Sequence, residues 1–420
     1  MSPWCRHAGT ETVRIWAVAI AAGTAAIAVA GYLLTHGRPA SDLPEELQKR
    51  LGSLGYVEEV TEDPDATRAG VVTHDSDAAH AGVNAYCSTR SREIHLLDMA
   101  GEILHTLHLP EAGDGSDCML EPLGDGRFLA LAQPNLVKLG WDSEVVWTSG
   151  KRHHHDVAVA SNGDIYTLSE RPGTLVRGGS PLPIRDHAIV ILDANGRLRR
   201  EIGLAGAFAS RIPGWRLGWM RRLQRRDEPG AWPYELASDA YHPNTLQILD
   251  RDGPLGRAGD VLICLREMSL VAVVDPATGA IRWSWGPGYL KRPHHPSLLE
   301  NGNLLIFDNG FGRGWSRIVE LDPAKRRIVW SYEADPRESF FSDVRGSAQA
   351  LPNGNVLITE STKGRVFEIT RGGEIVWEFW NPERTEDGTR RQIYRMVRLG
   401  PTDLAGAPWL EEGLAARSTR

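Results

Sequence analysis

His155 and His294 each stand eight residues before the glycine of an Asn-Gly pair, Asn162-Gly163 and Asn301-Gly302, and His242 opens a third related segment in His242-Pro243-Asn244. A second polar position comes seven residues after each turn glycine. Along the chain it reads Gln133, Glu170, Arg266, Asn309 and Ser361, with Asp308 and Glu360 one residue before the last two. If the segments flanking each turn are paired strands, both sets reach the same rim. A neutral imidazole placed there can attack an electrophile covalently, a second can carry a leaving group's proton, and a guanidinium offers paired donors to an anionic tetrahedral group. Three converging imidazoles are equally a zinc donor set, which keeps a zinc-dependent hydrolase or lyase open. His153, His154 and His295 fall outside this register.

The elements that would hold these residues repeat. Beyond residue 83 the unit is a short strand, an Asn-Gly or Asp-Gly turn, an apolar strand, a run ending in Asp, a Gly turn and a closing strand carrying Trp. Asp125-Gly126, Asn162-Gly163, Asn301-Gly302 and Asn353-Gly354 mark the first turns, and Ala258-Gly259 stands in for a fifth; Trp147, Trp283, Trp330 and Trp377 mark the closing strands. The units span 84–109, 118–149, 153–204, 242–286, 292–333 and 344–381. Six four-stranded units fit a six-bladed β-propeller, an all-β fold, over residues 84–399. The first unit has only three strands, so the strand-like Ile393–Leu399 is expected to complete it and close the ring. Tryptophans on the closing strands are expected to pack between blades. Innermost strands line the channel, so His155, His242 and His294 should meet at one mouth.

Residues 205–241 form an insertion between blades 3 and 4. Trp215, Trp219 and Leu223 recur every four residues there, predicting a short helix with an aromatic face, and Arg216, Arg221, Arg222, Arg225 and Arg226 fill the rest. It leads into His242, so a lid over the channel mouth is the expected role, with simple packing or membrane contact as the alternatives.

The 420 residues carry 47 Lys and Arg against 54 Asp and Glu, a net charge of −7, so the bulk positive field of a nucleic-acid binder is missing. From Val13 to Leu34 the only charge is Arg14, long enough for a membrane-spanning helix. Residues 1–40 are read as an N-terminal transmembrane anchor, 41–83 as a stalk with a short helix at Pro44–Leu54, and 400–420 as a tail. The weak basic bias before the run puts the body outside the cytoplasm, and Ala28-Val29-Ala30 leaves a cleaved signal peptide as the alternative. Cys5, Cys87, Cys118 and Cys264 contain no Cys-x-x-Cys pair, which argues against a cysteine zinc site and leaves Cys87–Cys118 as the pair to test for a bridge.

His155-Asp156 before Asn162-Gly163, His242-Pro243-Asn244 followed by Arg266, and His294 before Asn301-Gly302-Asn303 with Phe307-Asp308-Asn309-Gly310 together resemble the bacterial arylsulfate sulfotransferase family. The resemblance covers about residues 84–399. It implies an exported, periplasmic six-bladed propeller that moves a sulfuryl group from an aryl sulfate ester to a phenolic acceptor, with no nucleotide donor, cofactor or metal. Carried over by position, it makes His294 the nucleophile, transiently sulfurylated, and His155, His242 and Arg266 the holders of the sulfuryl oxygens. Asn244, His295, Asn309, Ser361 and Asp156 are the further candidates for substrate contact. His295 beside His294 leaves the nucleophile open by one residue. The blade pattern alone also permits a non-catalytic scaffold or a holder of a quinone-type cofactor.

Overall fold

The computed structural model describes residues 65–406, apart from 111–117, 133, 151, 178, 180 and 227–237. The expected anchor at 1–40, the expected helix Pro44–Leu54, Gln133 and the last part of the tail lie outside the described residues. No described helix is long and apolar enough to cross a membrane.

Six antiparallel sheets follow one another along the chain, and together they are a six-bladed β-propeller. The innermost strands are Cys118–Pro122, His153–Val159, Pro243–Ile248, His294–Leu298 and Ser347–Ala350 in blades 2 to 6, and Ile393–Leu399 in blade 1. That last strand pairs with Val83–Ser88 and packs beside the inner strands of blades 6 and 2, so the ring closes as the repeat count requires. Blade 6 has a fifth strand. Gly70–His74, which the sequence reading assigned to the stalk, pairs with Ile375–Trp380 at the outer edge. Its Gly-Val-Val-Thr-His run is short and lacks the turn signals of the repeat, but it covers backbone groups that would otherwise be an open edge.

Local chemistry fixes the hairpins. Asn162 and Asn301 accept the backbone N–H of Asp164 and Asn303 at 3.0 and 2.9 Å, while Gly163 and Gly302 take φ of 83° and 84°. The amide side chain closes the turn, and the glycine supplies the left-handed residue at no steric cost. Second strands such as Val261–Leu265, Leu304–Asp308 and Val356–Glu360 are buried at every position because adjoining blades cover both faces.

The tryptophans stitch neighbouring blades. The indoles of Trp147, Trp330 and Trp377 donate to the carbonyls of Ala194, Arg371 and Met99, each in the next blade round the ring. A Cβ at Gly196 would come within 2.8 Å of Trp147, so that turn must stay bare for the indole to lie on it. Cys87 and Cys118 form a disulfide, joining blade 1 to blade 2.

The insertion begins with short helices at Leu204–Phe208 and Ala209–Arg211, and then a helix Gly214–Arg226 that belongs to a compact unit separate from the propeller. Its buried face is not the expected aromatic one. Arg216, Leu217 and Met220 are buried, whereas Trp215 is 74% exposed and Trp219 and Leu223 are half-buried. Positions 215 and 217 lie about 200° apart on a helix of 3.6 residues per turn, so a face centred on Leu217 and Met220 turns Trp215 outward.

Candidate active site

The inner strands of blades 3, 4 and 5 depart from regular pairing where the histidines stand. His154 pairs with Leu168 and Val157 with Thr167, which leaves His155 and Asp156 as an extra pair of residues. In blade 5 the register slips by one residue between His294 and Ser297, and in blade 4 by one between Pro243 and Thr245. In pairing terms His154, rather than His155, is therefore the counterpart of His294. The two extra residues in blade 3 take His155 out of the ladder. His155, His242 and His295 have φ of 65°, 47° and 45°, a left-handed backbone that costs a β-carbon residue about 1–3 kcal/mol and concentrates where function needs a re-aimed side chain.

His155, His242, His294 and Arg266 do come together. The imidazoles of His155 and His242 face each other Nε2 to Nε2 at 3.1 Å. Arg266, at the end of Val261–Leu265, is 4% exposed and ties its backbone N–H to the His242 carbonyl at 3.1 Å. Its Nε and Nη2 donate to Glu267, whose other oxygen pairs with Arg292 at 3.0 Å. Burial, and then the Arg266 cation, hold the His294 imidazole well below its ordinary pKa. His155 is held down by burial, then by His154, His242 and Arg266; His242 by burial and Arg266, with Asp239 opposing. Burial and the nearby cation thus favour the neutral form of these rings.

Two partners meet the His294 ring, the Asn309 side chain and the backbone of Arg292. Its Nδ1–H donates to Asn309 Oδ1 at 2.7 Å, and Asn309 Nδ2 in turn donates to the carbonyls of Ser342 and Arg345. Both amide protons on that nitrogen are thereby used, so the oxygen must face His294 and His294 Nε2 keeps its lone pair. His295 faces elsewhere. Its Nδ1 donates to the Ala348 carbonyl at 3.1 Å, and after burial the cation acting on it is Arg395. A small cavity of about 10 Å³ touches both His294 and His295, along with Asn244, Tyr394 and Arg395.

The other expected contact residues are engaged within the protein. Asp156 accepts from the Leu246 backbone N–H and from Arg395, tying blade 3 to blade 4 and to the closing strand. Asn244 donates to the Pro293 carbonyl, and Ser361 bonds the carbonyls of Ile393 and Tyr394. Polar side chains between inner strands must satisfy one another in a dry setting, and these three do so across blade boundaries. Glu170, opposite His187 in the long hairpin, pairs with Arg152 and Arg185.

Four residues that sequence reasoning did not select complete the site. Asp239 accepts from His242 Nδ1 at 2.6 Å and from His187 Nε2 at 3.2 Å; His187 Nδ1 meets His154 Nε2 at 3.2 Å. Tyr394 Oη lies 3.0 Å from both His155 Nδ1 and the His155 carbonyl oxygen. An Asp three residues before His242 was the one local signal available. Nothing local links His187 or Tyr394 to the rim.

Over 205 residues the chain is 22% identical to the dehydrogenase subunit of a quinone alcohol dehydrogenase from Komagataeibacter europaeus, covering 44% of this chain. It spans about a quarter of that relative's length, 26%. Among solved structures, a protein of unknown function from Bacteroides caccae matches with a TM-score of 0.50 and 15% identity over 76% of this chain and 98% of its own, a likeness of fold. A streptogramin B lyase matches with a TM-score of 0.44 and 14% identity over 81% and 96%. The model of the arylsulfotransferase (ASST) family matches residues 223–382, the stretch that holds His242, Arg266, His294 and Asn309, so this part of the chain is similar to that family.

Proposed function

We propose that the protein transfers a sulfuryl group from an aryl sulfate ester to a phenolic acceptor through a sulfo-histidine on His294. The observation that carries this reading is the bond from His294 Nδ1 to Asn309, which leaves Nε2 as a neutral nucleophile beside a buried arginine. His294 Nε2 attacks sulfur, the S–O bond to the aryl group breaks, and the phenolate leaves with a proton. A second phenol then gives up its proton and attacks the sulfo-histidine. Two displacements replace one difficult step, and Arg266 balances the charge that builds on the sulfuryl oxygens. Between the two adjacent histidines, the Arg266 side of His294 favours it over His295.

The test is donor treatment followed by peptide mass spectrometry. A sulfuryl adduct on His294 is expected, with transfer to a phenol that survives a chelator. An adduct on His295 would move the nucleophile by one residue, and transfer without an adduct would end the two-step mechanism. Loss of transfer in chelator would instead support the zinc reading.

The propeller is further proposed to work outside the cytoplasm, anchored by Val13–Leu34. The Cys87–Cys118 disulfide supports an oxidising compartment. Salt-resistant membrane fractionation of the full chain is expected, and a soluble product starting at Gly31 would overturn the anchor.

A further inference from the structure

Tyr394, His155, His242 and Asp239 form an unbroken line of hydrogen-bonding groups, and His187 and His154 extend it behind Asp239. The Asp239 carboxylate only accepts, so His242 must point Nδ1–H at it, which leaves His242 Nε2 bare toward His155. The Tyr394 hydroxyl has one proton and two acceptors within 3.0 Å. If that proton goes to His155 Nδ1, His155 donates Nε2–H to His242, and the line is closed with both rings neutral. If the hydroxyl turns instead to the His155 carbonyl, His155 must donate Nδ1–H to Tyr394. Two bare Nε2 atoms would then face each other at 3.1 Å, a repulsive arrangement unless one added proton lies between them. The same heavy-atom positions thus satisfy two states that differ by one proton.

We propose that the site binds its sulfuryl anion together with one proton, held between His155 and His242, and that Asp239 and Tyr394 are the positioning residues that make this state possible. The inference rests on the sulfuryl-transfer reading. Burial and the Arg266 cation disfavour the extra proton, with His294 and His154 adding to the opposition around His155. Of the nearby anions, Asp239 favours it directly and Glu267 acts on His242 as well. A bound sulfate ester adds a negative charge beside Arg266 and reverses the balance. His187 and His154 hold Asp239 from behind, keeping its carboxylate aimed at His242. The proton has a use in the reaction. When His294 Nε2 bonds to sulfur and the aryl S–O bond breaks, the departing oxygen takes the shared proton, and the rings return to the neutral line. The acceptor phenol restores that proton as its oxygen attacks sulfur, so the count balances over the two halves.

An aryl sulfonate carries the same anionic head on a carbon–sulfur bond that His294 cannot displace, so it probes binding without turnover. Calorimetric titration of the full-length protein with p-toluenesulfonate, in buffers of different ionisation enthalpy near neutral pH, counts protons taken up per ligand. About one is expected. Tyr394→Phe, which removes the hydroxyl that meets both His155 Nδ1 and the His155 carbonyl, should reduce the uptake to below about half, as should Asp239→Asn. In turnover, both variants should lose far more rate with an alkyl-substituted phenyl sulfate than with a nitrophenyl sulfate, about 100-fold against less than about tenfold. Binding with no proton uptake would overturn the shared proton and leave the sulfuryl-transfer reading standing. No binding of the sulfonate would overturn both. Unchanged uptake in Tyr394→Phe, or a loss of rate equal for both leaving groups, would overturn the positioning role.

Discussion

Asn309 accepts the Nδ1–H of His294 at 2.7 Å while giving both its own amide protons to backbone carbonyls. An amide fixed in this way permits one tautomer of its partner. Asn309→Leu should lower the rate of His294 sulfurylation on the order of 100-fold, with the fold intact by circular dichroism, because the ring loses the bond that presents Nε2. Rapid-quench measurement of adduct formation checks this. A wild-type rate in that variant would show that the tautomer is not controlled from Asn309.

The pH dependence follows from the same residue. Burial and Arg266 hold His294 well below the ordinary histidine value of about 6.5, so it stays neutral, and competent as a nucleophile, at pH values under that. The acid limb of the first half-reaction should therefore lie below about pH 6.5. Removing the cation relieves part of the depression, so Arg266→Gln should move the limb to higher pH as well as slow the step. A limb that stayed in place would mean that another group sets it.

Arg266→Lys separates charge from geometry. The cation is retained, but an ammonium cannot reproduce the planar fork that bonds Glu267 on one edge and that the proposed mechanism turns to the sulfuryl group with another. A fall in kcat of about 100-fold or more is expected, with the acid limb unmoved. Near-wild-type kcat would reduce Arg266 to a point charge.

Stability should be sensitive to acid. Burial is the leading cause that lowers the pKa of His154, His155, His242, His294 and His295 in the fold. Unfolded, each would take a proton near pH 6.5; folded, they take it only at lower pH. Between those values the unfolded chain binds more protons, so stability is complete above about 6.5 and declines as pH falls through that window. Tm measured from about pH 8 to about pH 5 should fall on the acid side, and a level Tm there would contradict the neutral, buried assignment.

The disulfide offers a separate handle. Cys87 and Cys118 are 31 residues apart and fasten blade 1, which the closing strand completes, to blade 2. Cys118→Ser should cost about 2–4 kcal/mol in denaturant unfolding, with sulfuryl transfer retained under native conditions because neither cysteine touches the histidines. A larger loss of transfer than of stability would tie that blade junction to the site.

The blade count, the closing strand and the convergence of His155, His242, His294 and Arg266 were legible in the sequence. Hairpin turns and strand alternation are local, and a repeated local pattern places equivalent residues at equivalent heights in a ring. The outer strand Gly70–His74 was not legible, since an edge strand needs only a partner and carries no turn signature of its own. The roles of Asp156, Asn244 and Ser361 were also hidden. Their positions are set by the repeat, but whether a polar side chain faces the channel or the neighbouring blade depends on which partner packing supplies. The left-handed turns at His155 and His242 belong to the same class, because a one- or two-residue bulge changes the aim of a side chain without changing the spacing from which it is read. Asp239, His187 and Tyr394 come from an insertion, an outer hairpin strand and the final strand. Closure of the ring brings Tyr394 to His155, while Asp239 is local to His242 and His187 reaches Asp239 from the third strand of blade 3.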